Sequence, residues 1–289
     1  MISFDPKDLS TGKLHGYLLS AVAPRPIAFA STIDAEGNPN LSPFSFFNVF
    51  SANPPILVFS PARRVRDNSV KHTLENVEVV KEVVINVVNY DMVHQASLSS
   101  TEYAKGVNEF EKAGFTMLKS DKVKPFRVAE SPIQFECKVN EIIKLGTEGG
   151  AGNLVICEVV KFHITEEVLD SNYVIIQEKL DLVARAGGDY YNRAKKGFFE
   201  IPKPLQSLGI GVDAIPEEIR NSMILTGNDL GMLGNIEKLP TAKEIKEFLK
   251  ELSKNHPDIK GMTHRQKHKM ARNFLSYGDV LSAWKLLLS

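Results

Sequence analysis

Residues 24–60 read PRPIAFASTIDAEGNPNLSPFSFFNVFSANPPILVFS, and the fold is decided here. Positions 27–32 alternate in the two-residue period of a strand, 34–38 carry turn chemistry, and 40–47 resume an extended pattern. Together they predict a hairpin that presents Ser42, Phe44 and Ser45 near one end. Pro24 and Pro26 hold the approach to the first strand extended, since proline restricts both its own φ and the residue before it. Small, hydroxyl and aromatic side chains alternate along the hairpin, a surface suited to a flat ring with a polar edge.

Further along, strand-like runs continue at 56–60, 83–88, 133–144, 154–164 and 180–184. Short helical patterns interrupt them at 71–81, 92–99 and 107–113, the second capped by Asp91 and the third stopped by Gly114. The runs 133–144 and 154–164 flank GTEGGAG, whose glycines permit positive φ, so the pair reads as a long hairpin. An antiparallel barrel follows, because closure protects strand edges that an open sheet would expose.

At 289 residues, with 43% hydrophobic residues, the chain can form one large domain or two smaller ones. Its 35 basic and 35 acidic residues cancel, so no global field draws in nucleic acid or an anionic membrane. Cys137 and Cys157 both lie in apolar, strand-like sequence and read as buried thiols of a reducing compartment, not as a disulfide or metal pair. The start MISFDPKDLS lacks the pattern of a signal peptide, and no apolar run approaches the roughly 20 residues of a spanning helix. The expectation is a cytoplasmic protein without membrane contact. Dinucleotide-fold, P-loop, CxxC and HExxH signatures are all missing from the sequence, and no metal site is expected.

PRPIAFASTIDAEG, NLSPFSFFN and the PP that follows resemble the flavin reductase-like, FMN-binding split-barrel family, in its flavoredoxin branch. ARAGGDYY, at 184–191, resembles the Arg-x-Gly-Gly-x-Tyr segment that closes the barrel in that family, with Arg185, Gly187, Gly188 and Tyr190 in register. The resemblance implies a mainly β fold: a split β-barrel with flanking helices over 1–198, followed by a C-terminal α-helical extension over 199–289. It also implies non-covalent FMN and a homodimer with the flavin where two barrels meet. The implied chemistry is hydride transfer from NADH or NADPH to FMN, with reduced FMN or its electrons passed to a monooxygenase or another electron acceptor. No side chain is expected to act as a catalytic acid or base, since the flavin carries the reaction.

FMN asks a protein for a phosphate site, apolar walls for the ring faces and hydrogen bonds at the pyrimidine edge. Ser60 ends a strand and leads into PARRVRDNSVKHTLEN, where Arg63, Lys71 and Thr73 cluster with a helix start whose amides attract anions. By resemblance Ser60, Lys71 and Thr73 match the phosphate-binding positions, although His72 stands where an acidic residue is more usual. Taken singly, Arg63, Arg64, Arg66 and Lys71 read as a solvated patch. For the ring, the resemblance implies Asn40, Ser42, Ser45, Phe46, Phe47 and Asn48, with Phe46 contacting through its main chain. Arg25 is a candidate to reach the flavin or a neighbouring subunit, or else to pair with a carboxylate. Phe44, Phe46, Phe47 and Phe50 read equally well as core or subunit-interface residues. His163, on a strand-like run, could touch nicotinamide but reads as a solvent-facing residue.

Beyond Phe198 the composition turns rich in proline and glycine, then helical. Thr241 precedes a helix with Ile245, Phe248, Leu249 and Leu252 on one face, and Thr263 precedes another carrying Met270, Phe274 and Leu275. Those faces need a surface, and the expectation is that they pack on the barrel over the flavin site or the dimer seam. HRQKHKMAR, at 264–272, is a basic cluster that could meet RNA or an acidic partner but reads as a solvated helix face. Two other readings stay open for the whole chain: a flavoredoxin-like electron carrier that keeps its FMN, and a non-enzymatic interaction protein with the barrel as scaffold.

Overall fold

The computed structural model describes residues 1–201, 204 and 208–289, so positions 202, 203 and 205–207 of the proline-rich stretch lie outside the described residues. Contacts divide the chain into two compact units, Met1–Phe199 and Glu200–Ser289.

The first unit opens with helix α1 (Thr11–Ala21), capped by Ser10. Strands β1 (Ala28–Ile33), β2 (Pro39–Phe44), β3 (Phe47–Ala52) and β4 (Pro55–Phe59) follow. Next come α2 (His72–Val79), β5 (Glu82–Val87), α3 (Val93–Leu98), α4 (Glu109–Ala113) and the short pair β6 (Met117–Leu118) and β7 (Arg127–Val128). The unit closes with β8 (Ile133–Lys144), β9 (Asn153–Ile164), α5 (Gln177–Leu180), β10 (Val183–Arg185) and β11 (Tyr191–Arg193).

Seven strands form one antiparallel sheet in the order β2-β1-β5-β8-β9-β4-β3. Laid flat, such a sheet would measure about 29 Å from edge to edge at the usual strand spacing. Yet its two outer strands are consecutive in the chain, joined through Ser45 and Phe46 by a link that reaches at most about 11 Å. The sheet must therefore curl until its edges approach, which makes a barrel with a seam at Ser45 and Phe46. The Ser60 amide donates to the Phe46 carbonyl at 2.8 Å and fixes that seam to the end of β4.

β1 is buried along its whole length because both of its faces are covered. Ala28 and Ala30 face the barrel interior with Phe59, Ile85, Val155 and, from α2, Leu74 and Val77. Phe29 faces outward into a second cluster built with Val93 and Ala96 of α3 and Phe110 of α4. Cys137 and Cys157 are fully buried free thiols of the interior, and burial pushes both thiols up.

Four sequence expectations change. The strand expected over 40–47 breaks at Ser45 and Phe46, where the chain bends and its ladder partner changes from β1 to β4. The run 180–184 divides, because Leu180 ends α5, Asp181 turns left-handed at φ 49°, and β10 begins at Val183. Asp91 lies inside a 3-10 turn, and Met92, which offers no side-chain bond, occupies the cap position of α3. α1 was not anticipated at all; it buries none of its residues and so shows no apolar stripe. Gly114, left-handed at φ 72°, ends α4 as expected, and β8 spans the expected residues.

The second unit contains α6 (Glu217–Arg220), α7 (Gly227–Gly234), α8 (Ala242–Asn255), α9 (His264–Ser276) and α10 (Val280–Leu287). Capping boxes start α7 (Thr226 with Asp229), α8 (Thr241 with Glu244) and α9 (Thr263 with Gln266). Trp284 is wholly buried at its centre with Ile219, Leu233, Ala271 and Leu275, and donates its indole N–H to the Leu233 carbonyl at 2.9 Å. Phe248, Leu249, Leu252, Met270 and Phe274 pack on that core, so these apolar residues find their surface inside the unit. Among the described residues, no helix is long and apolar enough to cross a membrane.

Candidate functional site

A cleft of about 880 Å³ opens at the barrel seam, within the range of cofactor pockets. Pro43, Phe44, Ser45 and Phe46 form one side, with Ser60 and Lys71 below them. His15 and Leu19 of α1, the α3 region from Tyr90 to Ser100, and the β10–β11 hairpin close the remaining sides. Phe46 is partly exposed, and His15 meets its ring edge-on at 6.3 Å.

Lys71 occupies the N-cap position of α2, and no side chain caps that helix. The first amides of α2 therefore face outward with the positive end of the helix dipole. Burial, then the neighbouring Arg64 charge, hold the Lys71 ammonium below the usual lysine range. Glu102, whose charge would favour the ammonium, is already engaged by Arg64 at 3.0 Å and Arg66 at 2.6 Å. Among the described residues, the α2 terminus is thus a positive corner without a matching anion.

A buried polar network holds this corner in place. The Asn40 amide group donates to Thr73 Oγ1 at 2.9 Å and to Thr32 Oγ1 at 3.3 Å, and Asn76 donates to Thr32 Oγ1 at 3.1 Å. Asn40, Ser42, Lys71 and Thr73 line a narrow crevice of about 20 Å³ that shares Lys71 and Ser100 with the main cleft. Thr73 is fully buried, so its hydroxyl serves to dock α2 on the hairpin.

The structure brings Ser45, Phe46, Ser60, Lys71 and Arg185 to the main cleft, and Asn40, Ser42 and Thr73 to the adjoining crevice. Five other expected residues line neither. Arg25 is buried behind the seam, where its guanidinium donates to the carbonyls of Leu19, Val22 (2.6 Å) and Ala186 (3.1 Å) and to Ser45 Oγ (3.4 Å). It thereby caps the end of α1 and ties it to the hairpin. Arg63 is spent on Asn68, donating to its side chain at 2.6 Å and its carbonyl at 2.7 Å. Phe47 packs against the barrel core. Asn48 is exposed and accepts from the Val49 amide at 2.8 Å, and Tyr190 is exposed at the hairpin turn.

That turn depends on its glycines. A Cβ on Gly187 would stand 2.1 Å from Ser20 Oγ of α1, and Gly188 adopts φ +56°. Close packing of the hairpin on α1 therefore requires Gly187. On the hairpin, Arg185 lies 4.6 Å over the Tyr191 ring and Arg193 lies 3.6 Å over Tyr90. Arg193 also grips Asp181 at 2.8 and 2.5 Å, a bond that holds the Asp181 carboxyl below its usual range.

Sequence reasoning missed His15, Tyr90, His94, Ser97, Ser100 and Arg193 as lining residues. A helix start at Ser10 was a usable signal for the first of these; the rest carry no local signature. His163 is also not simply solvent-facing: its Nε2 lies 2.6 Å from the buried Glu136 carboxylate. Asp121, Glu136 and His163 come close enough to resemble a metal cluster. Both Glu136 oxygens are already taken, by the amides of Asp121 at 2.9 Å and Lys122 at 2.6 Å and by His163, so the group is a structural brace.

An uncapped helix start, an unpaired half-buried lysine and a partly exposed phenyl ring within one cleft fit a planar ligand bearing a phosphate. The family model of the flavin reductase like domain matches residues 20–183. An uncharacterised protein of Aquifex aeolicus is 35% identical over 193 residues, covering 67% of this chain and 96% of that protein. The crystal structure of nitrilotriacetate monooxygenase component B from Bacillus cereus superposes with a TM-score of 0.65 at 28% identity, covering 70% of this chain and 98% of that one. A candidate flavin reductase with a split barrel domain from Shewanella frigidimarina gives 0.60 at 27% identity, covering 70% of this chain and all (100%) of that one.

Proposed function

The chain belongs to the flavin reductase-like domain family, and from that premise we propose that it is a flavin-binding oxidoreductase holding FMN non-covalently in the seam cleft. The observation that carries this reading is the opening of the uncapped α2 terminus, with Lys71, into the same cleft as Ser45 and Phe46. Bound there, FMN would supply the hydride-accepting centre for NADH or NADPH.

In this reading Lys71 and the first α2 amides hold the phosphate, with Ser60 beside them, while Ser45 and the Phe46 backbone orient the ring. Arg185 places positive charge at the cleft wall, where it favours an anionic ligand, while Arg193 is held by Asp181. The side chains need only align donor and acceptor at about 3 to 3.5 Å, so no acid or base with a tuned pKa is required. Likeness to a monooxygenase component supports passage of reduced FMN, or its electrons, to a separate monooxygenase or other acceptor.

We assign flavin binding to residues 1–198 and treat 199–289 as a helical extension. A homodimer is part of the reading: β3 is an edge strand whose Val49 and Phe50 are exposed, and a second copy would cover them. The two unbridged cysteines support a reducing, cytoplasmic setting.

The test is a titration of purified protein with FMN and with riboflavin, alongside NADH and NADPH consumption. Lys71→Ala is expected to weaken FMN roughly tenfold or more while changing riboflavin little, because it removes a charge-assisted bond to phosphate. Equal loss for both ligands would place the phosphate elsewhere, and protein that neither binds flavin nor oxidises a nicotinamide would end the reading.

A further inference from the structure

The second unit holds a cleft of its own, of about 700 Å³, outside the residues matched by the family model. Lys243, Lys246 and Lys250 recur at helical spacing along α8, so they share one face and look into it. Lys260 and Lys267 complete the rim, and Leu249 and Ile259 give it an aliphatic floor. Glu247 is the acidic residue among the lining side chains.

Among the described residues, none of these five lysines has a carboxylate side chain within 4.0 Å, whereas the neighbouring Lys254 meets Glu251 at 2.6 Å. Lys267 is steadied by the Ser289 carbonyl at 2.5 Å. With Lys267 engaged by Ser289, four lysines around an apolar floor face the single lining side-chain carboxylate of Glu247, and an anionic occupant relieves that excess of positive charge.

We propose that this cleft docks an acidic peptide segment of a partner protein, with an apolar side chain of the segment on Leu249 and Ile259 and its carboxylates on the lysine rim. The chemistry selects this occupant over nucleic acid. Among the described residues no arginine fork and no aromatic platform lines the cleft, and these are the groups that grip phosphates bidentately and stack bases. Lysines are point charges that suit scattered carboxylates, and an enclosed aliphatic floor suits a buried anchor residue. The proposal stands on the second unit alone and does not depend on flavin binding.

Calorimetric titration of the full-length protein with a short synthetic peptide of aspartates and glutamates around a central leucine tests it. Saturable binding is expected, weakening as salt rises from about 0.05 to about 0.3 M. Lys243→Glu with Lys250→Glu should weaken binding about tenfold or more, and Lys243→Gln with Lys250→Gln, a milder change that guards against misfolding, should weaken it less. Replacing the peptide's leucine by glycine should also weaken it. Lys269→Glu, in a separate depression beside Ile224, should leave affinity within about twofold. Unchanged affinity in both α8 double variants overturns the proposal, as does tighter binding of a single-stranded oligonucleotide of equal charge.

Discussion

Lys71 sits half-buried with its ammonium held below the usual lysine range by burial and by Arg64, and this fixes how ligand affinity should follow pH. A bound phosphate favours the charged form, so FMN affinity should stay level through neutrality. It should then fall as pH rises toward the depressed value, before ordinary lysines titrate. Equilibrium dialysis across a pH series checks this; the same fall in Lys71→Ala, or with riboflavin, would refute the assignment. Glu136 gives a second prediction. Burial would raise its carboxyl, but the amides of Asp121 and Lys122 and the His163 ring outweigh burial and hold it below the usual value. Because the folded-state value is depressed, the stabilisation is present above the ordinary carboxylate range and is lost as pH falls through the folded value. Glu136→Gln should cost about 2 to 3 kcal/mol in urea at neutral pH, with the difference shrinking in acid. At this scale the sequence showed donors well and their partners poorly. Lys71 and Ser60 stand at the cleft where chemistry suggested, but Arg25 looked like a ligand-binding cation because its acceptors, Leu19, Val22 and Ala186, are backbone carbonyls. No residue type announces such a partner.

Elements were legible where periodicity and turn chemistry agreed. The long β8–β9 hairpin was visible in full because two alternating runs flank a glycine cluster. The break between β2 and β3 was not, since the residues at the bend, Ser45 and Phe46, include no glycine or proline to mark it. α1 was invisible for the opposite reason: no side chain of it is buried. β3 now carries a prediction. Its exposed Phe50 lies on the sheet edge, so Phe50→Glu should shift the proposed dimer to monomer in analytical ultracentrifugation. A dimer that persists would move the interface away from this strand. The β10–β11 hairpin carries another. Gly187→Ala must push Ser20 away and should lower both Tm and FMN affinity, whereas Gly188→Ala should cost about 1 kcal/mol of backbone strain with a smaller effect on the ligand.

At the scale of the whole molecule, all residues lining the seam cleft belong to the first unit, and the second unit has its own core around Trp284. A chain ended after Phe199 should therefore fold and bind FMN with unchanged affinity; lost binding would mean that the extension completes the site. Trp284→Ala should destabilise the second unit by about 3 to 5 kcal/mol through the cavity it leaves. The placement of that side chain also offers an optical handle. It is the single tryptophan of the sequence, sealed among aliphatic neighbours, so indole emission reports the helical unit alone. Its red shift on heating would mark when water reaches that core, and the yellow of a retained flavin would mark the barrel, so one unlabelled sample would show which half of the chain melts first.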